Sequence, residues 1–220
     1  MSGGIYVDRT DMMHVMYDKK GPAVAKRFAA RGFEAVYCPT KEAALQTALS
    51  YIPADHVVSW GGSASIDDIG LRPYVLAHYA VIDRDRAKTP EERVELMRRA
   101  LLCDTFLMGT NAAVEDGQLI NIDGNGNRVA ALSYGPKQVL VIVGMNKVCP
   151  TVESAMARAR STAAPININR FAGSDTPCYK TGMCAHCATT NSVCAQLLRT
   201  RICRPAGRIK VILVGENLGY

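Results

Sequence analysis

Apolar residues recur at helical spacing over the first thirty positions, where Met12, Met13, Val15, Met16, Val24, Phe28 and Ala29 form a stripe. Gly21-Pro22 is expected to interrupt that helix and Gly32 to stop it. Residues 33–37 then read as a buried strand, and Thr40 as the N-cap of a helix running to Ser50. A second strand at 56–60 leads through a glycine turn and a short helix to a third at 79–83. A helix over 90–102 follows, with Pro90 in its first turn and Glu91 and Glu92 at the positive end of its dipole. Residues 105–110 form the next strand. Segments 118–123, 128–133 and 138–143 lie close together between Gly- and Asn-rich turns, which predicts a small antiparallel or mixed sheet. A helix at 152–163, an aperiodic stretch from 164 to 205 and an apolar strand at 209–214 complete the chain. Strands alternating with helices predict an α/β fold, with a mainly parallel sheet flanked by helices and a Cys-rich insertion before the last strand.

The 220 residues are 48% hydrophobic and 21% charged, enough for a sizeable core and against disorder. The net charge of +6 is spread without a cationic run. That balance suits an anionic small molecule or an acidic partner protein, and does not predict a nucleic-acid partner. No stretch reaches the roughly 20 apolar residues of a membrane span, and residues 1–20 lack the apolar core of a signal peptide. A cytoplasmic location is therefore expected.

Location changes the reading of the eight cysteines, because disulfides rarely persist in a reducing compartment. Five of them fall between Cys178 and Cys203. The spacing Cys178-x5-Cys184-x2-Cys187-x6-Cys194 lets thiolates converge on a soft metal, and Gly173 and Gly182 ease the necessary curvature. Four thiolates would close a tetrahedral zinc site or hold an iron–sulfur cluster, and the spacing separates neither. Cys203 competes for the fourth place, with Cys194 favoured as the nearer. His186 is read as a bystander, and Cys38, Cys103 and Cys149 as small core residues.

Two further features bear on chemistry. Gly61-Gly62-Ser63 follows a strand, where backbone amides can face an anionic ligand, although Ser65 and Asp68 also spell a capping box. Asp123-Gly-Asn125-Gly-Asn127 begins like a calcium loop, but Arg128 stands where that loop needs glycine and no glutamate closes it. Glu115, just beyond a strand end, is a candidate nucleophile or base.

Taken together, these residues resemble the LUD-domain family of lactate utilization proteins. The likeness is carried by Trp60-Gly-Gly-Ser63 with Ile66-x-x-Ile69-Gly-Leu71, by the run from Glu115-Asp-Gly117 to Arg128-Val-Ala130, by Tyr134-Gly-Pro-Lys137 and Gly144-Met-Asn-Lys147, and by Thr176-Pro-Cys178 with Cys184-x2-Cys187. It spans nearly the whole chain as a single domain over 1–220, with a metal-binding segment at about 173–205. The resemblance implies a Rossmann-like fold of the sugar-phosphate isomerase and CoA transferase kind (NagB/RpiA/CoA transferase-like). It also implies a role in oxidising lactate or another 2-hydroxyacid beside iron–sulfur partner proteins, and it favours a 4Fe-4S cluster over zinc. Ligand contacts are expected from Gly61, Gly62, Ser63, Asn127, Arg128 and Lys137. Catalysis is expected from Glu115 and Asp123, Glu115 matching the glutamate that CoA transferases acylate. Two other functions stay open: a non-redox acyl-transfer or Lewis-acid enzyme, and a zinc-stabilised ligand-binding subunit. Homo-oligomerisation is left open by the sequence.

Overall fold

A computed structural model describes residues 8–220. The first seven positions of the segment read as lacking a leader lie outside the described residues. The elements in chain order begin with α1 (Arg9–Ala29), β1 (Glu34–Cys38), α2 (Lys41–Ser50), β2 (Val57–Trp60), α3 (Ala64–Asp68), α4 (Leu71–His78) and β3 (Ala80–Ile82). They continue with α5 (Pro90–Arg99), β4 (Thr105–Gly109), β5 (Ala112–Val114), β6 (Gln118–Asp123), α6 (Asn127–Ser133), β7 (Gln138–Gly144) and β8 (Val148–Cys149). The last are α7 (Val152–Arg158), α8 (Ala164–Asn167), α9 (Pro177–Thr181), β9 (Gln196–Thr200) and β10 (Ile209–Val214).

Six strands form one parallel sheet in the order β1-β10-β7-β4-β2-β3. Its central strands are apolar on both faces, as a sheet covered on both sides must be. Along β7, Val139, Val141 and Val143 pack with Tyr17, Val24 and Phe28 of α1, while Leu140 and Ile142 pack on the other face with α2 to α4. The period of two assigns alternate residues to the two cores. A smaller mixed sheet, β8-β5-β6-β9, buries a third core against α7. This is the Rossmann-like α/β architecture the sequence predicts.

Four local expectations are corrected. Helix α1 runs unbroken through Pro22. Proline forfeits one backbone hydrogen bond, but the buried face of Tyr17, Val24, Ala25 and Phe28 holds the helix to the sheet. Gly21 lets the Tyr37 ring lie where any Cβ would clash, at 2.1 Å. Residues 128–133 are helical, not a strand, because Asp123 Oδ2 accepts from the backbone N–H groups of Arg128 (3.0 Å) and Val129 (3.1 Å) and so caps α6. Strand β7 belongs to the large sheet, and the small sheet is completed instead by β9, drawn from the aperiodic stretch. Finally, Ser63 occupies the N-cap of α3 with no side-chain cap bond. The Ser65 hydroxyl of the supposed capping box is engaged elsewhere.

The Glu115-Asp-Gly117 turn of the β5–β6 hairpin touches α1 so closely that a Cβ on Gly117, at φ 90°, would sit 2.6 Å from the Arg27 backbone. Among the described residues no helix is long and apolar enough to cross a membrane. Phe28 is fully buried and meets Phe33 edge-on at 5.3 Å. Phe28→Ala is expected to cost about 3–5 kcal/mol in urea unfolding; a loss below about 1 kcal/mol would show that α1 is anchored elsewhere.

Candidate anion-binding cleft and thiol cluster

From β2 the chain moves outward to β3, whereas from β4 the main sheet continues in the opposite direction to β7. The loops leaving β2 and β4 therefore diverge at the carboxyl edge of the sheet, where open α/β folds place their ligands. A cleft of about 320 Å³ lies there. Gly62, Ser63 and Ala64 form one wall, Gly109, Thr110 and Asn111 another, and the start of α6 a third.

Five cationic side chains line it, Arg84, Arg93, Arg128, Arg170 and Lys147, against one carboxylate, Asp123. Two guanidinium groups converge over Gly62: a Cβ built there would lie 3.1 Å from Arg170 Nη1 and 3.2 Å from Arg84 Nη2. Arg84 is largely buried, its Nε lacks a hydrogen-bond partner, and burial pulls its pKa down. Asp85 compensates in part, pairing with Arg93 at 3.0 Å and lying 3.8 Å from Arg84 Nε; the remaining excess of positive charge favours an anion.

Arg128 has a different task. Its guanidinium donates to Gly109 O (3.2 Å), Asn121 Oδ1 (2.7 Å), Asn111 Oδ1 (3.0 Å) and Ile122 O (2.5 Å). It thereby ties the loop after β4 to β6, and burial lowers its pKa against the pull of Asp123.

Lys147 ends the turn after β7 and is 3% exposed. Its Nζ donates to Ser65 Oγ at 2.9 Å, and among the described residues it makes no ion pair. Burial chiefly, then Arg158 and Arg128, lowers its pKa to about 8, while Asp68 opposes the shift.

The cysteine segment closes the far side of the cleft. Cys194 and Val193 line it. Burial, followed by the thiols of Cys178, Cys184 and Cys187, raises the Cys194 pKa, so these four sulfurs are electrostatic neighbours. All four are free thiols, Cys178 buried and the others half-buried. Between Cys184 and Cys187, His186 adopts a positive φ of 52°, a left-handed conformation uncommon for a non-glycine residue. As they stand, no three His, Cys, Asp or Glu side chains among the described residues surround a single point closely enough to hold a metal. The donor set fits a soft metal or cluster, and the segment would have to close around it. Cys203 stands apart, in the main core, accepting from Ile209 N at 3.3 Å and donating to Pro205 O at 3.2 Å. Cys38, Cys103 and Cys149 are buried.

The other expected site residues divide. Gly62, Ser63, Asp123, Asn127 and Arg128 line the cleft, and Gly61 packs beneath it against Arg128. Glu115 lies at the opposite end of β6, paired with Lys20 at 2.6 Å. Lys137 immediately precedes β7 at the amino edge of the sheet, exposed and paired with Asp104 at 2.6 Å. Sequence reasoning left out Arg84, Arg93, Arg170 and Lys147. Only Lys147, a lysine directly after an apolar strand, carries a signal that could have marked it. A larger groove of about 880 Å³ between α5 and α6 is walled by apolar side chains such as Val94, Met97 and Leu197 together with polar ones such as Arg98, Asn127 and Gln196.

The six-stranded parallel sheet, with a cationic cleft at its carboxyl edge, defines a Rossmann-like α/β protein. The LUD-domain model matches residues 22–214, and the chain belongs to the LUD-domain family. It is similar in fold to a DUF162 family protein from Deinococcus radiodurans, with a TM-score of 0.50 and 15% identity over 95% of this chain and 99% of that one. Weaker likenesses are to eIF2B beta (TM-score 0.35, 19% identity, 50% of this chain and 43% of that one) and eIF2B delta (0.31, 15%, 64% and 54%) from Chaetomium thermophilum. No curated protein matches the chain.

Two outcomes follow for stability. Arg128→Leu strands several buried acceptors and is expected to cost about 3–5 kcal/mol, whereas Arg170→Gln should stay within about 0.5 kcal/mol; urea unfolding separates them, and equal losses would refute the division of labour. The folded pKa of Lys147 lies below its unfolded value, so the native state binds fewer protons between about pH 8 and 10.5. Stability relative to Lys147→Met should be flat below pH 8 and rise across that window by on the order of 3 kcal/mol. A difference that is constant with pH would mean the amine is not desolvated.

Proposed function

We propose that the cleft binds a small carboxylate, a 2-hydroxyacid or its 2-oxo product, and that Cys178, Cys184, Cys187 and Cys194 hold an iron–sulfur cluster at its rim. In this reading the protein is a component of lactate or other 2-hydroxyacid oxidation. The observation that carries it is the place of Cys194, which belongs to the thiol group and lines the same cleft as the Arg84 and Arg170 guanidiniums. Arg170 and Arg84 would take the carboxylate, whose planar pair of oxygens suits guanidinium donors. Arg128 and Asp123 fix the wall that such a ligand would rest against. A bound cluster supplies one-electron transfer. The acyl-transfer alternative gains no support, since Glu115 is ion-paired to Lys20 outside the cleft.

Anaerobic purification is expected to give a brown protein absorbing near ~400 nm, with iron and sulfide lost in Cys178→Ser or Cys194→Ser and retained in Cys203→Ser. A colourless protein with stoichiometric zinc would establish the zinc-stabilised alternative instead. L-lactate and pyruvate should each raise the melting temperature, less in Arg170→Gln and less at high salt. Absence of any shift with either would remove the carboxylate from the cleft.

A further inference from the structure

Lys147 is a buried cationic group of the cleft that makes one hydrogen bond and, among the described residues, no ion pair. The charged and titratable groups around it are Asp68 on α3, Arg158 on α7 and Arg128 on α6. Asp68 is itself engaged, accepting from Gly219 N at 2.6 Å, and Arg158 donates to the backbone oxygens of Asn146 and Asn111. No carboxylate lies within ion-pair distance of the amine among the described residues, and its single hydrogen bond goes to the buried Ser65 hydroxyl. A buried ammonium wants several acceptors or a counter-ion; this site offers one hydroxyl. An amine suits it better, because donating one N–H to Ser65 leaves the nitrogen lone pair free. Gly219 covers another side of the pair, so closely that a Cβ there would lie 3.0 Å from both Lys147 Nζ and Ser65 Oγ. The cleft remains the open direction, and in it stand guanidiniums suited to a carboxylate.

We propose that Lys147 forms an imine with the carbonyl carbon of a 2-oxo acid held in the cleft. This rests on the carboxylate-binding reading above and adds a covalent step to it. The Nζ lone pair forms a bond to C2 as the carbonyl π bond opens onto oxygen. The resulting carbinolamine then loses that oxygen, together with the two former amine hydrogens, as water, and a C=N bond remains. No electrons are gained or lost. A neutral amine is the reactive form, and desolvated lysines beside other cations are the ones that supply it near neutral pH. The same arrangement explains why Ser65 is buried at the start of α3 without capping it: its hydroxyl orients the amine.

The test uses the full chain with pyruvate and sodium cyanoborohydride, which reduces an imine to a stable secondary amine, followed by peptide mass mapping. A single reduced adduct on Lys147 is expected, absent from Lys147→Met and Lys147→Arg, with the rate rising through about pH 8. Acetone, which lacks the carboxylate, should label at least tenfold more slowly, and Arg170→Gln should lose a similar factor with pyruvate. Pyruvate binding, followed separately by calorimetry, keeps the two ideas apart. Binding without a Lys147 adduct overturns the imine and leaves the carboxylate reading standing; no binding overturns both. Adducts scattered over surface lysines, at equal rates in both variants, also overturn it. Should a variant fail to fold, the mapped position of the adduct in the unaltered protein decides the matter.

Discussion

The cleft depends on one buried guanidinium. Arg128 links the loop after β4 to β6 through four acceptors, and thereby fixes the angle at which the small sheet leaves the large one. Packing adds to that link, since Ala113 and Leu119 of the small sheet lie in the core of the large one. The cost is a charge held largely out of water, offset by hydrogen bonds and by Asp123 nearby. Asp123 also caps α6, so the carboxylate that moderates the charge positions the element from which the charge projects. Scaffold and site cannot be separated here.

Against that fixed wall the remaining cations outnumber their partners, Asp85 serving both Arg84 and Arg93. Arg84, Arg93 and Arg170 come from three separate turns and helices, yet reach one volume at the carboxyl edge of the sheet. Folding tolerates such crowding only where hydrophobic burial elsewhere is ample, and the continuous apolar faces of β4, β7 and β10 supply it. The thiol group of Cys178, Cys184, Cys187 and Cys194 shows the same economy, with like groups drawn together on a loop held by little regular structure.

The sequence made the large sheet legible because its strands are short apolar runs followed by helix starts such as Thr40, whose side chain does cap the next helix. It misled where local signals were outvoted. Pro22 lies inside a helix because tertiary burial of Tyr17 and Phe28 prevails over propensity. Residues 128–133 form a helix because Asp123 supplies a cap from five residues upstream, which a window of periodicity does not see. The glycine loop stood out from its strand-end position and Asp123 from its Gly- and Asn-rich turn, and both line the cleft. Arg84 and Arg170 were not: one follows a short strand among alternating charges, the other sits in an aperiodic stretch, and only tertiary structure brings them to the same glycine. Glu115 and Lys137 show the converse, since motif likeness singled them out and the fold sets them on other faces.

The raised pKa of Cys194 bears on how the protein survives before anything is bound to it. A thiol that resists ionisation is a poor nucleophile toward peroxides and disulfides. Capture of a metal at that sulfur, as proposed above, would expel its proton, so loading would release protons and be favoured as the surroundings turn alkaline.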